Sequence, residues 1–153
     1  MMPLKPYIYE DEAYSELSID EAFTNPLKTA HDGKNGSTSV KKVFLRNTDD
    51  TKYYTDIRVF AKDSDSDYIY EDIVYNETGW GVKLSEGNSE PSDAEWEDIS
   101  WGNAISIPNI GSADSGDQST YRPFWALITC PPSAAAQNKK DIQLVVDYIE
   151  RAV

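Results

Sequence analysis

The acidic run Asp63–Ser64–Asp65–Ser66–Asp67 is the first place in this chain where residue type and spacing could do chemistry. Carboxylates on alternate positions open the calcium loop of an EF-hand, where side-chain oxygens ligate the ion. The pattern then departs from that loop. Its sixth position is Tyr68, where the sharp turn takes Gly, and its twelfth is Val74, where a bidentate Glu belongs. A looser oxygen cage drawing on Asp72 remains open beside the plain reading of a solvated loop, and Asp114 and Asp117 invite the same comment with less force. No metal or cofactor is assigned.

His31 is the single histidine and lies in a Gly-rich stretch with no nucleophile motif beside it, so a hydrolytic triad has no frame. Cys130 is the single cysteine, which rules out an intrachain disulfide and a thiolate metal cluster. It closes the apolar run Phe124–Trp125–Ala126–Leu127–Ile128–Thr129, where a small buried side chain fits. No catalytic residue is assigned, and the chain reads as a binding or structural protein rather than an enzyme. Four tryptophans could stack on sugar rings. Trp125 and Trp80 read as packing residues, whereas Trp96 and Trp101, framed by Glu95, Glu97, Asp98 and Asn103, are the pair expected to be partly exposed and able to hold a ligand.

Whatever these residues do, a β framework must position them. The chain has 153 residues, enough for one domain with a real core, and is 12% aromatic, too rich for a disordered protein despite a net charge of -13. That charge repels phosphate backbones, so nucleic acid is not an expected partner. Nor is a membrane: no apolar stretch is long enough to cross one, and Met1–Met2–Pro3–Leu4–Lys5–Pro6 lacks the apolar run of a signal peptide. The expectation is folding in a cytoplasm.

The pattern changes at His31–Asp32–Gly33–Lys34–Asn35–Gly36. Residues 1–38 read as an extended acidic arm without sustained periodicity, and 39–153 as a β domain. Within the arm, Tyr7–Ile8–Tyr9 is a short edge strand or an extended anchor, and Ser18–Ile19–Asp20–Glu21 has capping-box logic for a turn or two of helix before Asn25–Pro26. Its apolar anchors, Leu4, Tyr7, Ile8, Tyr9, Tyr14, Leu17 and Phe23, are separated by carboxylates and suit a partner surface.

Beyond the arm, Val40–Asn47 reads as a core strand with Val43 and Leu45 on one face. Tyr53–Lys62 alternates cleanly, with Ile57, Val59 and Ala61 inward and Asp56, Arg58 and Lys62 outward. Further strands are expected at Tyr68–Tyr75, Trp80–Leu84, Ala104–Ile110, Tyr121–Cys130 and Asp141–Glu150, with a helical turn near Trp96. The last segment also fits a helical period, but β-branching favours a strand. Short strands bounded by turn residues predict an all-β fold, an Ig-like antiparallel β-sandwich preceded by an extended N-terminal arm.

One set of motifs carries a resemblance. Ala22–Phe23–Thr24–Asn25–Pro26–Leu27, then Asp32–Gly33–Lys34–Asn35–Gly36, Leu45–Arg46–Asn47–Thr48–Asp49 and Tyr53–Tyr54–Thr55–Asp56–Ile57, resembles the amino-terminal part of structural proteins from tailed bacteriophages. Gly79–Trp80–Gly81–Val82–Lys83–Leu84, Ala104–Ile105–Ser106–Ile107–Pro108–Asn109–Ile110–Gly111, Pro123–Phe124–Trp125, Cys130–Pro131–Pro132 and Asp141–Ile142–Gln143–Leu144–Val145–Val146 are similar to the Ig-like module of such virion proteins. The antibody-type Cys–Trp–Cys framework is absent.

The resemblance implies a non-enzymatic virion component, assembled in the host cytoplasm and present in many copies or as a homo-oligomer. Its expected role is a capsid decoration or cement protein that binds the major capsid protein or other virion proteins through the arm and sandwich edges. A tail or baseplate accessory, a host-directed carbohydrate-binding module using Trp96 or Trp101, and an acidic inhibitor of a nucleic-acid enzyme are the alternatives.

Overall fold

The inward set read along Tyr53–Lys62 is the set that is buried: Ile57, Val59 and Ala61 are each at most 2% exposed, while Asp56 and Arg58 face solvent. The structure is a computed structural model, and it describes residues 4–8, 37–47, 49–62, 81–111, 120–130 and 143–153. Its elements are β1 (Leu4–Ile8), β2 (Ser37–Asn47), β3 (Lys52–Lys62), β4 (Gly81–Glu86), α1 (Asp93–Glu97), β5 (Ile105–Ile107), β6 (Tyr121–Cys130) and β7 (Gln143–Ala152). The described strands form a four-stranded sheet, β1-β2-β6-β4, and a three-stranded sheet, β5-β3-β7, with every neighbouring pair antiparallel.

The two sheets share one core. Val43 and Leu45 of β2, Val82 and Leu84 of β4, and Phe124 and Ala126 of β6 pack with Tyr54, Ile57, Val59 and Ala61 of β3 and with Ile107 and Ile110. Leu144, Val146 and Tyr148 of β7 close one margin, which settles that segment as a strand with period two. Each fully buried aliphatic side chain here contributes roughly 1.5–3 kcal/mol. The chain is thus an all-β sandwich. Its likeness to Ig domains is one of architecture: among the described strands β6 sits between β2 and β4, where the constant-type antibody order has its fifth strand.

Two local devices make the packing possible. Tyr54 and Ile57 are three residues apart yet both point inward, which strict alternation forbids. A β-bulge between Thr55 and Arg58 supplies the extra residue, and Asp56 takes it up at φ +52°. At the crossing from β2 to β3, buried Asn47 donates to the carbonyls of Lys52 (2.8 Å) and Gly111 (3.0 Å), while its Oδ1 accepts from the Asp49 amide at 2.8 Å. Asp49 in turn accepts from the Thr51 amide and hydroxyl at 2.8 and 2.6 Å, and these bonds hold its carboxyl below the usual range.

Trp125 departs from expectation. It was expected in the core, but its neighbour Phe124 occupies that place, and Trp125 lies half-buried on the outer face of the four-stranded sheet. The physical reason is parity: Val43 pairs with Phe124, so even positions of β6 face inward. The expected strand Tyr68–Tyr75, the Asp63–Asp67 and Ser112–Ser119 runs, Trp80, His31 and the Ser18–Glu21 turn lie outside the described residues.

Candidate functional site

Trp96 and Trp101 were the expected ligand platform, and the segment that carries them begins with a well-formed helix start. Ser92 caps α1: its Oγ accepts from the Glu95 amide at 3.2 Å, and the Glu95 carboxylate accepts from the Ser92 amide at 3.1 Å. The single helical span turns Trp96 inward, where it is 5% exposed. This corrects the expectation for Trp96, since a ring so covered has no face to offer a sugar.

Trp101 is half-buried, and Lys83 Nζ stands 4.5 Å from its ring centroid. The same ammonium donates to the Trp96 carbonyl at 2.8 Å. Lys83 is 8% exposed, so the aromatic face and the carbonyl together replace its lost water. The Trp96–Trp101 segment is therefore a clasp around a buried lysine of β4.

That clasp also closes a sheet edge. Asn103 Oδ1 accepts from the Leu84 amide and Asn103 Nδ2 donates to the Leu84 carbonyl, both at 2.8 Å. Gly102 donates its amide to the Val82 carbonyl at 2.8 Å. Segment 102–103 thus stands where another strand would pair along β4.

The outer face of the four-stranded sheet carries a cation–aromatic row. Lys42 Nζ lies 5.4 Å from the Trp125 ring and donates to Asn88 Oδ1 at 2.8 Å. Phe44 meets Tyr121 edge to face, with centroids 5.7 Å apart. The Trp125 indole N–H is buried and has no hydrogen-bond acceptor among the described residues.

The N-terminal anchors divide. Leu4, Tyr7 and Ile8 lie in β1, an edge strand as one reading of Tyr7–Ile8–Tyr9 had it, which pairs with this chain's own β2 from Leu4–Asn47 to Ile8–Val43. The reason is local: Pro3 and Pro6 exclude helix, and an extended segment beside an unpaired edge of β2 satisfies its backbone there. The body therefore includes residues before position 39. β1 ends at Ile8, opposite Val43, and β2 begins at Ser37, so the residues that flank segment 9–36 lie on the same sheet. Tyr9, Tyr14, Leu17 and Phe23 lie outside the described residues.

The remaining edges differ in kind. β5 has three residues and is followed by Pro108; β1 has five and contains Pro6, which lacks an N–H. β7 has ten residues with no Pro or Gly. Among the described residues its only strand neighbour is β3. Behind it, Tyr54 and Tyr148 stack edge to face at 5.1 Å, and the Tyr54 hydroxyl donates to Glu150 at 3.3 Å. Burial first, and then the Glu150 carboxylate, push both phenols above their usual range. In front, Arg151 Nε donates to Thr55 Oγ1 at 2.9 Å and faces Asp56 at 4.0 Å.

Among the described residues no group of three or more His, Cys, Asp or Glu is placed to hold a metal ion, and no helix is long and apolar enough to cross a membrane. The clasp residues Lys83 and Asn103 and the bulge at Asp56 were not anticipated. A Lys inside the apolar alternation Val82–Leu84 was the one available signal for the first of them. Comparison with protein-family models and with curated proteins finds no match.

Proposed function

We propose that this chain is a non-enzymatic structural protein of a tailed-phage virion, a decoration or cement protein whose segment 9–36 docks on the major capsid protein or a neighbouring virion protein. A tail or baseplate accessory would use the same contacts. The observation that carries the reading is the pairing of β1 with β2, which fixes both ends of segment 9–36 on one sheet. Ser37 and Val43 are separated by roughly 20 Å along the strand. The chain between can therefore reach tens of Å, on the order of 40 Å, and still return.

Tethering at both ends lowers the entropy lost when Tyr9, Tyr14, Leu17 and Phe23 settle on a partner. Many copies on one particle add avidity, so each contact need only be modest. The net charge of -13 suits a basic patch on that partner and disfavours contact with packaged DNA. The resemblance of the sequence motifs to virion proteins supports a phage particle as the assembly.

The test is binding of the full chain to particles purified without it. Replacing Tyr9, Tyr14, Leu17 and Phe23 together by Ser should leave the far-ultraviolet spectrum of the sandwich intact and weaken binding at least about tenfold. Undiminished binding by that variant removes the docking role of the segment.

A further inference from the structure

Among the described residues the two sheets have four strand edges, and three carry a device that prevents further pairing: the Asn103–Gly102 block on β4, Pro6 in β1, and the brevity of β5 before Pro108. The edge of β7 is long and regular, and among the described residues it meets no such device. Its outer positions include Asp147 and Arg151, both exposed, and Ile149 and Val153, 47% and 56% exposed. From the charge pattern of this strand we propose that β7 pairs antiparallel with β7 of a second copy of this chain, about a two-fold axis through Ile149.

Face and charge select the register. Partners across a sheet share a face, so the outer set Val145, Asp147, Ile149, Arg151 and Val153 must meet its own outer set. An axis at Asp147, Glu150 or Arg151 opposes like charges directly, which is destabilising. An axis at Tyr148 sets Asp147 against Ile149 and Arg151 against Val145, leaving both charges against apolar neighbours. With the axis at Ile149, Ile149 meets Ile149 of the second copy, Asp147 meets Arg151, Val145 meets Val153, Val146 meets Ala152 and Tyr148 meets Glu150.

The ion pair forms twice by symmetry and extends rows already present. Arg58 lies opposite Asp147 within one copy, and Arg151 faces Asp56 within the other, so charges alternate across the joint. The result is a continuous sheet ordered β5-β3-β7-β7-β3-β5. This goes beyond the docking of segment 9–36 and uses no residue of it, so the purified chain alone decides it.

Sedimentation equilibrium of the full chain at physiological ionic strength, which screens repulsion between the acidic copies, is the test. A strand joint of this size predicts dimers forming at concentrations on the order of 10–100 µM. Asp147→Arg and Arg151→Asp should each weaken the dimer about tenfold or more, and the two together should restore it to within about threefold. A chain that stays monomeric to about 500 µM, or a double variant as weak as the singles, overturns the proposal. Because Arg151 also bonds Thr55, a gentler variant guards against loss of fold: Ile149→Cys at an exposed site should cross-link the two copies through the substituted position under mild oxidation. Failure of that cross-link to form counts against the two-fold register.

Discussion

The side-chain amide of Asn103 makes both hydrogen bonds that a neighbouring strand would make to Leu84, each at 2.8 Å. One residue thus ends a sheet that would otherwise continue, in contrast to β7, whose outer edge meets no strand among the described residues.

Asn103→Ala removes both bonds and leaves a partly buried amide and carbonyl without partners. The loss should be about 2 kcal/mol in urea-induced unfolding, since an orphaned backbone group costs roughly 1–3 kcal/mol but water reaches this edge in part. The variant should also aggregate faster than the parent, because β4 becomes a template for pairing. Unchanged stability would mean that the amide is incidental to the edge.

Asp56 holds a left-handed backbone, φ +52°, at the bulge that turns Tyr54 and Ile57 inward together. Its carboxylate pairs with exposed Arg151 at 4.0 Å, a contact of small worth in water. Backbone strain therefore outweighs the side-chain contacts. Asp56→Gly should raise stability by about 0.5 kcal/mol, and Asp56→Val should lower it by about 1–2 kcal/mol. The reverse ordering in chemical unfolding would mean that the side chain, not the backbone, governs this position.

Tyr54 and Tyr148 resist ionisation because burial, and then Glu150, disfavour the phenolate. A phenol whose folded pKa is raised stabilises the fold in full below its unfolded value near 10.0, and that stability is lost as pH climbs past it. Above pH 10 the Tyr54 phenol steepens alkaline unfolding by about 1.4 kcal/mol per pH unit. Tyr54→Phe removes that phenol, so its stability should fall less steeply above pH 10 by about that amount. Parallel slopes for parent and variant, followed by denaturant unfolding at several alkaline pH values, would contradict this.

Much of this sandwich was legible because alternation is a local signal. Val43 and Leu45, Ile57, Val59 and Ala61, and Leu144, Val146 and Tyr148 each announce an inward face at period two. Trp125 was misplaced because β6 is apolar on both faces, and only its pairing with β2 fixes which parity is buried. Trp96 looked exposed because acidic neighbours surround it in sequence; the capped turn from Ser92 to Glu95 points those neighbours outward and the indole inward. The helical turn near Trp96 was expected, and the S-x-x-E cap at 92–95 fixes its start and hence the inward side of the indole. Nothing local could have paired Leu4–Ile8 with β2 or Asn103 with Leu84, because those contacts join residues far apart along the chain.

The central claim is that this polypeptide belongs to a particle, and counting it there tests that claim most directly. Quantitative mass spectrometry of gradient-purified virions, with electron microscopy of the same sample, should find it in a fixed multiple of copies at regular positions. Virions that lack the polypeptide while the same lysate holds it free would contradict the account.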